Sequence, residues 1–210
     1  MWVVKLGGSL MGTPALKGWL DAFAQFGDGK VIIVAGGGVF ADAVRDAQAK
    51  TGIDDATAHQ MALLAMDQYA TLMAGLNEDL VMASSVLEIA ELCLQNKVIV
   101  WKPSEMVLAD KDLPRSWNLT SDSLAAWFAA KLNAQHLLVV KSMAFDDAEV
   151  IEVEDLMLEG VVDSYFGAYS TGRSFKTWLV GKNEFININQ VITHQSSPMM
   201  GVEIVARSQS

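Results

Sequence analysis

The sequence predicts an α/β protein: a three-layer αβα sandwich with a mostly parallel central sheet. Three observations favour this class. Short runs of Val, Ile and Leu, typical of buried parallel strands, alternate with longer amphipathic segments typical of helices. Glycine clusters follow the first two of these runs, where open α/β sheets place their ligands. A chain of 210 residues with 51% hydrophobic residues is also large enough for one such domain.

Strands and helices alternate regularly in the first two thirds of the chain. Buried strands are predicted at residues 2–6, 30–35, 97–101 and 135–140. Helices are predicted at residues 14–26, 39–50, 56–75, 85–95 and 122–132. The first helix has the plainest start, because Thr13 suits the N-cap and Pro14 the first helical position. This order favours a parallel sheet with helices on both faces.

The last third of the chain has shorter elements. Strands are predicted at residues 175–180 and 202–206, and short helices at 153–158, 163–168 and 182–188. Residues 102–117 form the longest stretch without a predicted element, which makes them a candidate active-site loop or flap. Neither an internal repeat nor an obvious linker interrupts the pattern, so we expect residues 1–210 to form a single domain.

The composition excludes several classes of function. Asp and Glu number 25 against 15 Lys and Arg, which gives a net charge of −10. Such an acidic chain is a poor general binder of DNA, RNA or anionic lipid, so we expect no nucleic-acid partner. No apolar run reaches the roughly 18 residues of a membrane span, and the first residues lack the basic start of a signal peptide. We therefore expect a cytoplasmic protein without a membrane partner.

Two glycine clusters follow the first two predicted strands. The first consists of Lys5, Gly7, Gly8 and Ser9, and the second of Gly36, Gly37 and Gly38. Glycines let the backbone approach a phosphate closely, and a following helix supplies free N–H donors. Either cluster alone is also explained by a tight strand–helix turn, but the two together with Lys5 favour phosphate binding. Neither a P-loop nor a G-x-G-x-x-G fingerprint after the first strand is present.

A third motif lies at residues 117–126. Thr120 or Ser121 could cap the helix that follows, with Asp122 in its first turn, and a good helix start is by itself a sufficient explanation. A carboxylate at this place could instead orient catalytic lysines or reach Mg²⁺ through water. Trp117 flanks the motif in a loop and is a candidate to close over a ligand.

The three motifs, in this order, resemble those of the amino acid kinase family. The resemblance covers residues 2–146 well and the rest weakly, and it implies the carbamate-kinase-like fold of that family. It implies an acceptor side at about residues 1–100 and a nucleotide side at about residues 101–210. The implied site residues are Lys5, Gly7, Gly8 and Ser9 for the phosphates of ATP, Gly36, Gly37 and Gly38 for the acceptor, and Asp122 for organising the catalytic lysines. Mg²⁺ would bind through the phosphates and water, with Asp122 as its candidate contact.

Residues 36–45 and 58–69 resemble one subgroup of this family, found in methanogens and methylotrophic bacteria, that makes a methanofuran precursor. The subgroup phosphorylates the phosphate of [5-(aminomethyl)furan-3-yl]methyl phosphate with ATP and yields a diphosphate. The resemblance therefore implies an ATP- and Mg²⁺-dependent kinase with a phosphate-bearing small-molecule substrate. Family members are usually oligomers, so we also expect a homo-oligomer.

Further candidate residues have two explanations each. Lys141 ends a predicted strand at the ligand edge and could be the second catalytic lysine or a solvated strand end. Arg45 could bind the acceptor phosphate or be a surface arginine. His59 and Asp67 lie on the long helix and could line an acceptor pocket, with Asp67 pairing with a ligand ammonium. A structural histidine explains His59 equally well.

The sequence also departs from the family. Many relatives carry V-D-G-V-Y after the nucleotide-side strand, but residues 144–148 read Ala-Phe-Asp-Asp-Ala and contain no glycine. Two alternatives stay open, and the altered residues with the short segment after them favour the second. One is a uridylate or acetylglutamate kinase-like enzyme, and the other is a nucleotide-binding regulatory or storage subunit without turnover. The retained Lys5 and Asp122 oppose the second alternative, because a binding module does not need them.

Overall fold

The computed structural model describes residues 1–145, 150–189, 192 and 201–207. Its strands are β1 (Trp2–Leu6), β2 (Val31–Ala35), β3 (Leu80–Ala83), β4 (Val98–Trp101), β5 (His136–Lys141), β6 (Val150–Glu152), β7 (Lys176–Gly181) and β8 (Val202–Val205). They form one sheet in the order β3-β4-β2-β1-β5-β7-β8-β6. Neighbouring strands are parallel except β7 and β8, which are antiparallel. The predicted mostly parallel α/β sheet is confirmed.

Helices cover both faces of the sheet. They are α1 (Pro14–Phe26), α2 (Gly38–Thr51), α3 (Asp55–Leu76), α4 (Val86–Leu94), α5 (Ser104–Ala109), α6 (Ser121–Lys131), α7 (Val153–Leu158) and α8 (Phe166–Ser170), with short 3₁₀ helices at Gly8–Leu10 and Glu184–Asn187. Trp19 of α1 and Tyr69 of α3 belong to the core on one face, and Phe128 of α6 and Phe166 of α8 to the core on the other. No helix among the described residues combines the length and the apolar character that crossing a bilayer requires.

Strand alternation decides which side chains point to the face of the sheet that carries the candidate site. Successive residues of a strand point to opposite faces, so Val3 packs on the α6 side of the sheet and Val4 on the α1 side. Lys5 follows two residues after Val3 and therefore shares its face. Val139 of β5 also packs on the α6 side, so Lys141 points there too. Two lysines thus emerge beneath α6 at the carboxyl ends of adjacent parallel strands.

The structure corrects several sequence predictions. Strands β3 and β6 were not predicted, because they are short and only partly buried. The stretch 102–117, predicted to be irregular, contains helix α5. The predicted N-cap of α1 at Thr13 and helix start at Pro14 are confirmed, although the Thr13 hydroxyl donates to the Leu10 carbonyl oxygen at 2.7 Å and makes no cap hydrogen bond. The helix predicted at residues 163–168 begins three residues later, as α8 (Phe166–Ser170).

Candidate active site

Asp122 lies between two lysines, at the first turn of α6. Its Oδ1 is 2.7 Å from Lys5 Nζ, and its Oδ2 accepts a hydrogen bond of 2.7 Å from Lys141 Nζ. The side chains of Lys5 and Asp122 are buried, and that of Lys141 is only 16% exposed. The fold thus brings together the three residues that the sequence nominated as catalytic. Asp122 thus fixes the positions of both ammonium groups by using one contact of each, and the remaining N–H bonds stay available for a ligand.

The charges of this cluster do not cancel. Burial raises the pKa of the Asp122 carboxyl, but the two ammonium groups oppose it and hold the pKa below the ordinary 3.8, so the group is a carboxylate. Burial and the nearby Lys5 lower the pKa of Lys141, while Asp122 raises it again. With both lysines protonated, the cluster carries two positive charges against one negative charge. It is therefore suited to a phosphate group, whose charge is negative.

The two glycine turns pack backbone against backbone. A Cβ on Gly36 would lie 2.7 Å from the Gly8 backbone nitrogen, and a Cβ on Gly8 would collide with the backbone of Gly38. Gly38 also has a φ of +54°, which side-chain-bearing residues rarely adopt. Because no side chain separates the turns, groups bound at one turn come close to groups bound at the other. That closeness is what transfer between two phosphates requires.

The first turn also holds polar groups near Lys5. A Cβ built on Gly7 would lie 3.8 Å from Lys5 Nζ and 3.6 Å from Ser9 Oγ, so both atoms flank this glycine. The second turn starts α2, which among the described residues has neither a side-chain cap nor an acidic residue in its first turn. Its first N–H groups therefore lack helix partners and offer an anion site.

A cavity of about 450 Å³ opens beside the glycine turns, between α2, α3 and the start of α6. Its size suits a small-molecule ligand. Its wall includes six of the predicted site residues, which are Gly8, Ser9, Gly37, Gly38, Arg45 and His59. Lys5, Gly7, Gly36, Asp122 and Lys141 do not line it. Gly7, Gly36 and Asp122 adjoin the wall residues Gly8, Gly37 and Ser121 in the chain. Lys5 and Lys141 are connected to the same place through their ion pairs with Asp122.

Arg45 and Trp117 both line the cavity and contact each other. The Arg45 guanidinium carbon lies 4.6 Å from the centre of the Trp117 ring, and Arg45 Nη1 donates to Asp42 Oδ1 at 2.7 Å. Trp117 Nε1 in turn donates to Gln48 Oε1 at 2.6 Å. The indole is therefore anchored to α2 and holds the guanidinium over its face. Arg45 lies at the cavity and is not an isolated surface residue.

His59 lies on the cavity wall and is almost fully buried. Burial lowers the pKa of the imidazole, while a backbone hydrogen bond at Ser116 acts in the opposite direction. The net direction is downward from the ordinary 6.5, so the ring is neutral at neutral pH. His59 can therefore offer a ligand a hydrogen bond but no charge.

The structure places Asp67 away from the cavity. The Asp67 carboxylate accepts hydrogen bonds from the Ser104 backbone N–H, at 3.2 Å, and from the Ser104 hydroxyl, so it binds the start of α5. We therefore correct the prediction that Asp67 pairs with a ligand ammonium. Its helix position was predicted well, but four-residue spacing from Leu63 does not tell which neighbouring element the side chain meets.

Asp163 is a residue near the site that the sequence analysis did not single out. Its Oδ2 accepts hydrogen bonds from the Thr120 N–H at 3.1 Å, the Thr120 hydroxyl at 2.7 Å and the Ser123 N–H at 3.0 Å. Its Oδ1 accepts from the Ser123 hydroxyl and from the Tyr165 N–H. Thr120 is the N-cap residue of α6, yet its hydroxyl binds Asp163 and not the helix. One carboxylate from beyond β5 thus fixes the turn that carries Asp122.

We expect Asp163→Asn to lower kcat about tenfold and the free energy of unfolding by about 1–3 kcal/mol, because an amide NH₂ would face donors that now meet an oxygen. Steady-state rates and urea unfolding measure both effects. Asp155→Asn is the matched control, since Asp155 forms a half-exposed ion pair with Arg207 away from this turn. Wild-type kcat in Asp163→Asn would show that the turn holds its position without this carboxylate.

The same residues test whether Mg²⁺ fits. Among the described residues, no group of three or more His, Cys, Asp and Glu side chains could hold a metal ion. Both oxygens of Asp122 already face ammonium groups. A cation brought in on phosphate oxygens, with Asp122 at most a contact through water, is compatible with this arrangement. Of the unusual stretch 144–148, residues 146–148 lie outside the described residues.

Comparison with known proteins agrees with this geometry. The model of the amino acid kinase family matches residues 1–144, and the chain belongs to this family. The chain is 28% identical over 141 residues to [5-(aminomethyl)furan-3-yl]methyl phosphate kinase from Methanocaldococcus jannaschii. That match covers 66% of this chain and 64% of the relative, so it spans less than two thirds of the relative's length.

Two solved structures share the fold. Uridylate kinase from Archaeoglobus fulgidus superposes with a TM-score of 0.71 at 17% identity, over 97% of this chain and 99% of that chain. UMP kinase from Ureaplasma parvum superposes with a TM-score of 0.70 at 16% identity, over 97% of each chain. At this identity the likeness establishes the amino acid kinase fold and leaves the substrate open.

Proposed function

We propose that the protein is an ATP-dependent kinase that phosphorylates the phosphate of a small molecule, and that this acceptor is [5-(aminomethyl)furan-3-yl]methyl phosphate. The observation that carries the proposal is the bridge of Asp122 between Lys5 and Lys141, placed behind two glycine turns in backbone contact. A protein that only binds a nucleotide does not need two oriented ammonium groups beside the glycine turn that would bind a second ligand.

The proposed reaction joins two phosphates. An oxygen of the acceptor phosphate attacks the γ-phosphorus of ATP, the bond from that phosphorus to the β–γ bridging oxygen breaks, and ADP leaves with the electron pair. The product is a phosphoanhydride. Phosphoryl transfer of this kind depends on alignment and on neutralising charge at the transferring group. Lys5 and Lys141 supply the positive charge, and the first glycine turn with Ser9 supplies donors for the phosphates.

Each half of the site has its own task in this proposal. The first turn and the two lysines bind ATP, within a nucleotide side of about residues 101–210 to which β1 contributes Lys5. The second turn, Arg45 and His59 bind the acceptor, within an acceptor side of about residues 1–100. Mg²⁺ bound to the phosphates would neutralise part of their charge, and Asp122 would meet it through water. Assembly into a homo-oligomer and a cytoplasmic location stay predictions.

The choice of acceptor rests on the relative from Methanocaldococcus jannaschii, whose name states its substrate. The cavity supports a compact acceptor: it encloses about 450 Å³, and its wall includes the start of α2 and the contacting side chains of Arg45 and Trp117. The open start of α2 suits a phosphate, and the apolar wall formed by Leu63, Met66 and Leu124 suits a small ring.

The test is an acceptor assay with the purified protein, ATP and Mg²⁺. We expect ADP release with [5-(aminomethyl)furan-3-yl]methyl phosphate and a diphosphate product in phosphorus NMR. UMP and acetylglutamate serve as competing acceptors, with a no-acceptor reaction as background. Preferred use of UMP would keep the kinase and replace the acceptor. Tight ATP binding without turnover of any acceptor would instead identify a regulatory or storage subunit.

We expect Arg45→Ala to raise the KM of the acceptor about tenfold while the KM of ATP changes little, because a charge-assisted hydrogen bond to phosphate is lost on the acceptor side alone. Lys50→Ala is the control on the same helix, since Lys50 pairs with Asp46 on the exposed surface. An equal rise in both KM values would place Arg45 at the nucleotide instead.

A further inference from the structure

The acceptor cavity contains a pair of opposite charges, of which the proposed function assigns a role only to Arg45. Asp42 and Arg45 both line the cavity, and Arg45 Nη1 lies 2.7 Å from Asp42 Oδ1. His59 is the other ionisable residue on the described wall, and burial keeps it neutral at neutral pH. Arg45 suits the phosphate of the acceptor. A carboxylate beside it is unfavourable for an acceptor that brings only negative charge.

The position of Asp42 relative to the phosphate site follows from helix geometry. Gly38 starts α2, and Asp42 follows four residues later, on the same side of the helix and about 6 Å along its axis. A ligand whose phosphate sits at the helix start therefore has Asp42 about one helical turn away. The Asp42 side chain is 71% exposed, so it can reach a ligand without leaving a packed environment.

We propose that Asp42 pairs with a positively charged group of the acceptor, so that the protein selects a phosphomonoester that also carries an amine. This inference rests on the proposed function and names Asp42 as the residue that would bind the positively charged end of the substrate. When Arg45 binds the phosphate of the acceptor, its ion pair with Asp42 weakens. An ammonium group on the same acceptor then takes the place of Arg45 as the partner of Asp42. The cavity then holds matched charges, although the whole chain carries −10.

A simpler role for Asp42 is to orient Arg45. The two roles differ in what they predict for the ligand's amine. If Asp42 only orients Arg45, its removal weakens all phosphomonoesters to the same degree. If Asp42 binds the amine, its removal weakens amine-bearing acceptors and leaves amine-free ones unchanged or improved, because a repulsive charge has gone.

The experiment compares two acceptors that differ in charge but not in size: [5-(aminomethyl)furan-3-yl]methyl phosphate and its analogue with ethyl in place of aminomethyl. We expect wild-type kcat/KM to favour the amine on the order of tenfold, as for a hydrogen bond to a charged group. In Asp42→Asn this preference falls to about one, mainly through the KM of the amine compound. Asp46→Asn is the matched control, because Asp46 lies one turn further along α2 and pairs with Lys50 away from the wall. It retains the wild-type preference.

Calorimetric titration with the same two compounds separates this inference from the proposed function. Binding that favours the amine in wild type but not in Asp42→Asn supports the inference even if neither compound is phosphorylated, which would overturn only the proposed reaction. An equal loss for both compounds in Asp42→Asn, absence of a preference in wild type, or no binding of either compound would overturn the inference.

Discussion

Lys5→Ala is expected to lower kcat by about 10²–10³-fold while the fold survives, because it removes a preorganised positive charge from the transferring phosphate. The strand position of Lys5 beneath α6 and its ion pair with Asp122 fix its ammonium group, which lies close to Gly7 of the first glycine turn. The KM of the acceptor should change less than kcat, since the charge is needed most in the transition state. Steady-state kinetics with the preferred acceptor measure both values.

The fold of Lys5→Ala should persist, because Asp122 keeps its hydrogen bond from Lys141. Circular dichroism and urea unfolding check this. Lys17→Ala is the control for loss of a lysine as such, since Lys17 pairs with Asp21 on the exposed side of α1. Wild-type turnover in folded Lys5→Ala would remove the central support for the proposed chemistry.

The sequence was informative wherever a local pattern carried the signal. Strand β1 was predicted to the residue, because its apolar run ends at two glycines. The glycine turns were found because backbone contact excludes every other residue type, as Gly8 and Gly36 show. Alternation alone could not place Lys5 and Lys141 on one face, because β1 and β5 are apolar on both faces, and only their pairing register and packing show it.

What the sequence could not show are contacts between distant elements. Asp163 lies 40 residues or more from Thr120 and Ser123, the two residues of the α6 turn that it binds. Nothing in its local sequence distinguishes it from a solvated aspartate. The same limit explains why the sequence pointed to the wrong aspartate for the acceptor cavity. Asp67 was predicted to pair with a ligand ammonium but binds the start of α5, whereas Asp42, which lines the cavity, was not predicted.

The three buried charges at Asp122 also link the site to stability. Asp122 has a lowered pKa in the folded protein, so its pairing stabilises the fold above the ordinary 3.8 and is lost as pH falls below it. Lys141 is the opposite case. Its lowered pKa means that the folded protein holds this proton less tightly than the unfolded chain does. Lys141 therefore costs stability at neutral pH, and the cost disappears as pH rises toward the ordinary 10.5.

Asp122→Ala is accordingly expected to abolish measurable turnover and to lower the free energy of unfolding by about 3 kcal/mol at neutral pH, because two buried ammonium groups lose their shared partner. The deficit relative to wild type should shrink as pH rises, since Lys141 then loses its proton and the repulsion between the lysines ends. Urea unfolding across the alkaline range measures this trend. Lys5→Ala is the control, because it leaves one lysine paired with Asp122 and should show a smaller deficit that depends less on pH. A deficit in Asp122→Ala that stays constant with pH would mean that lost packing, and not unpaired charge, destabilises the variant.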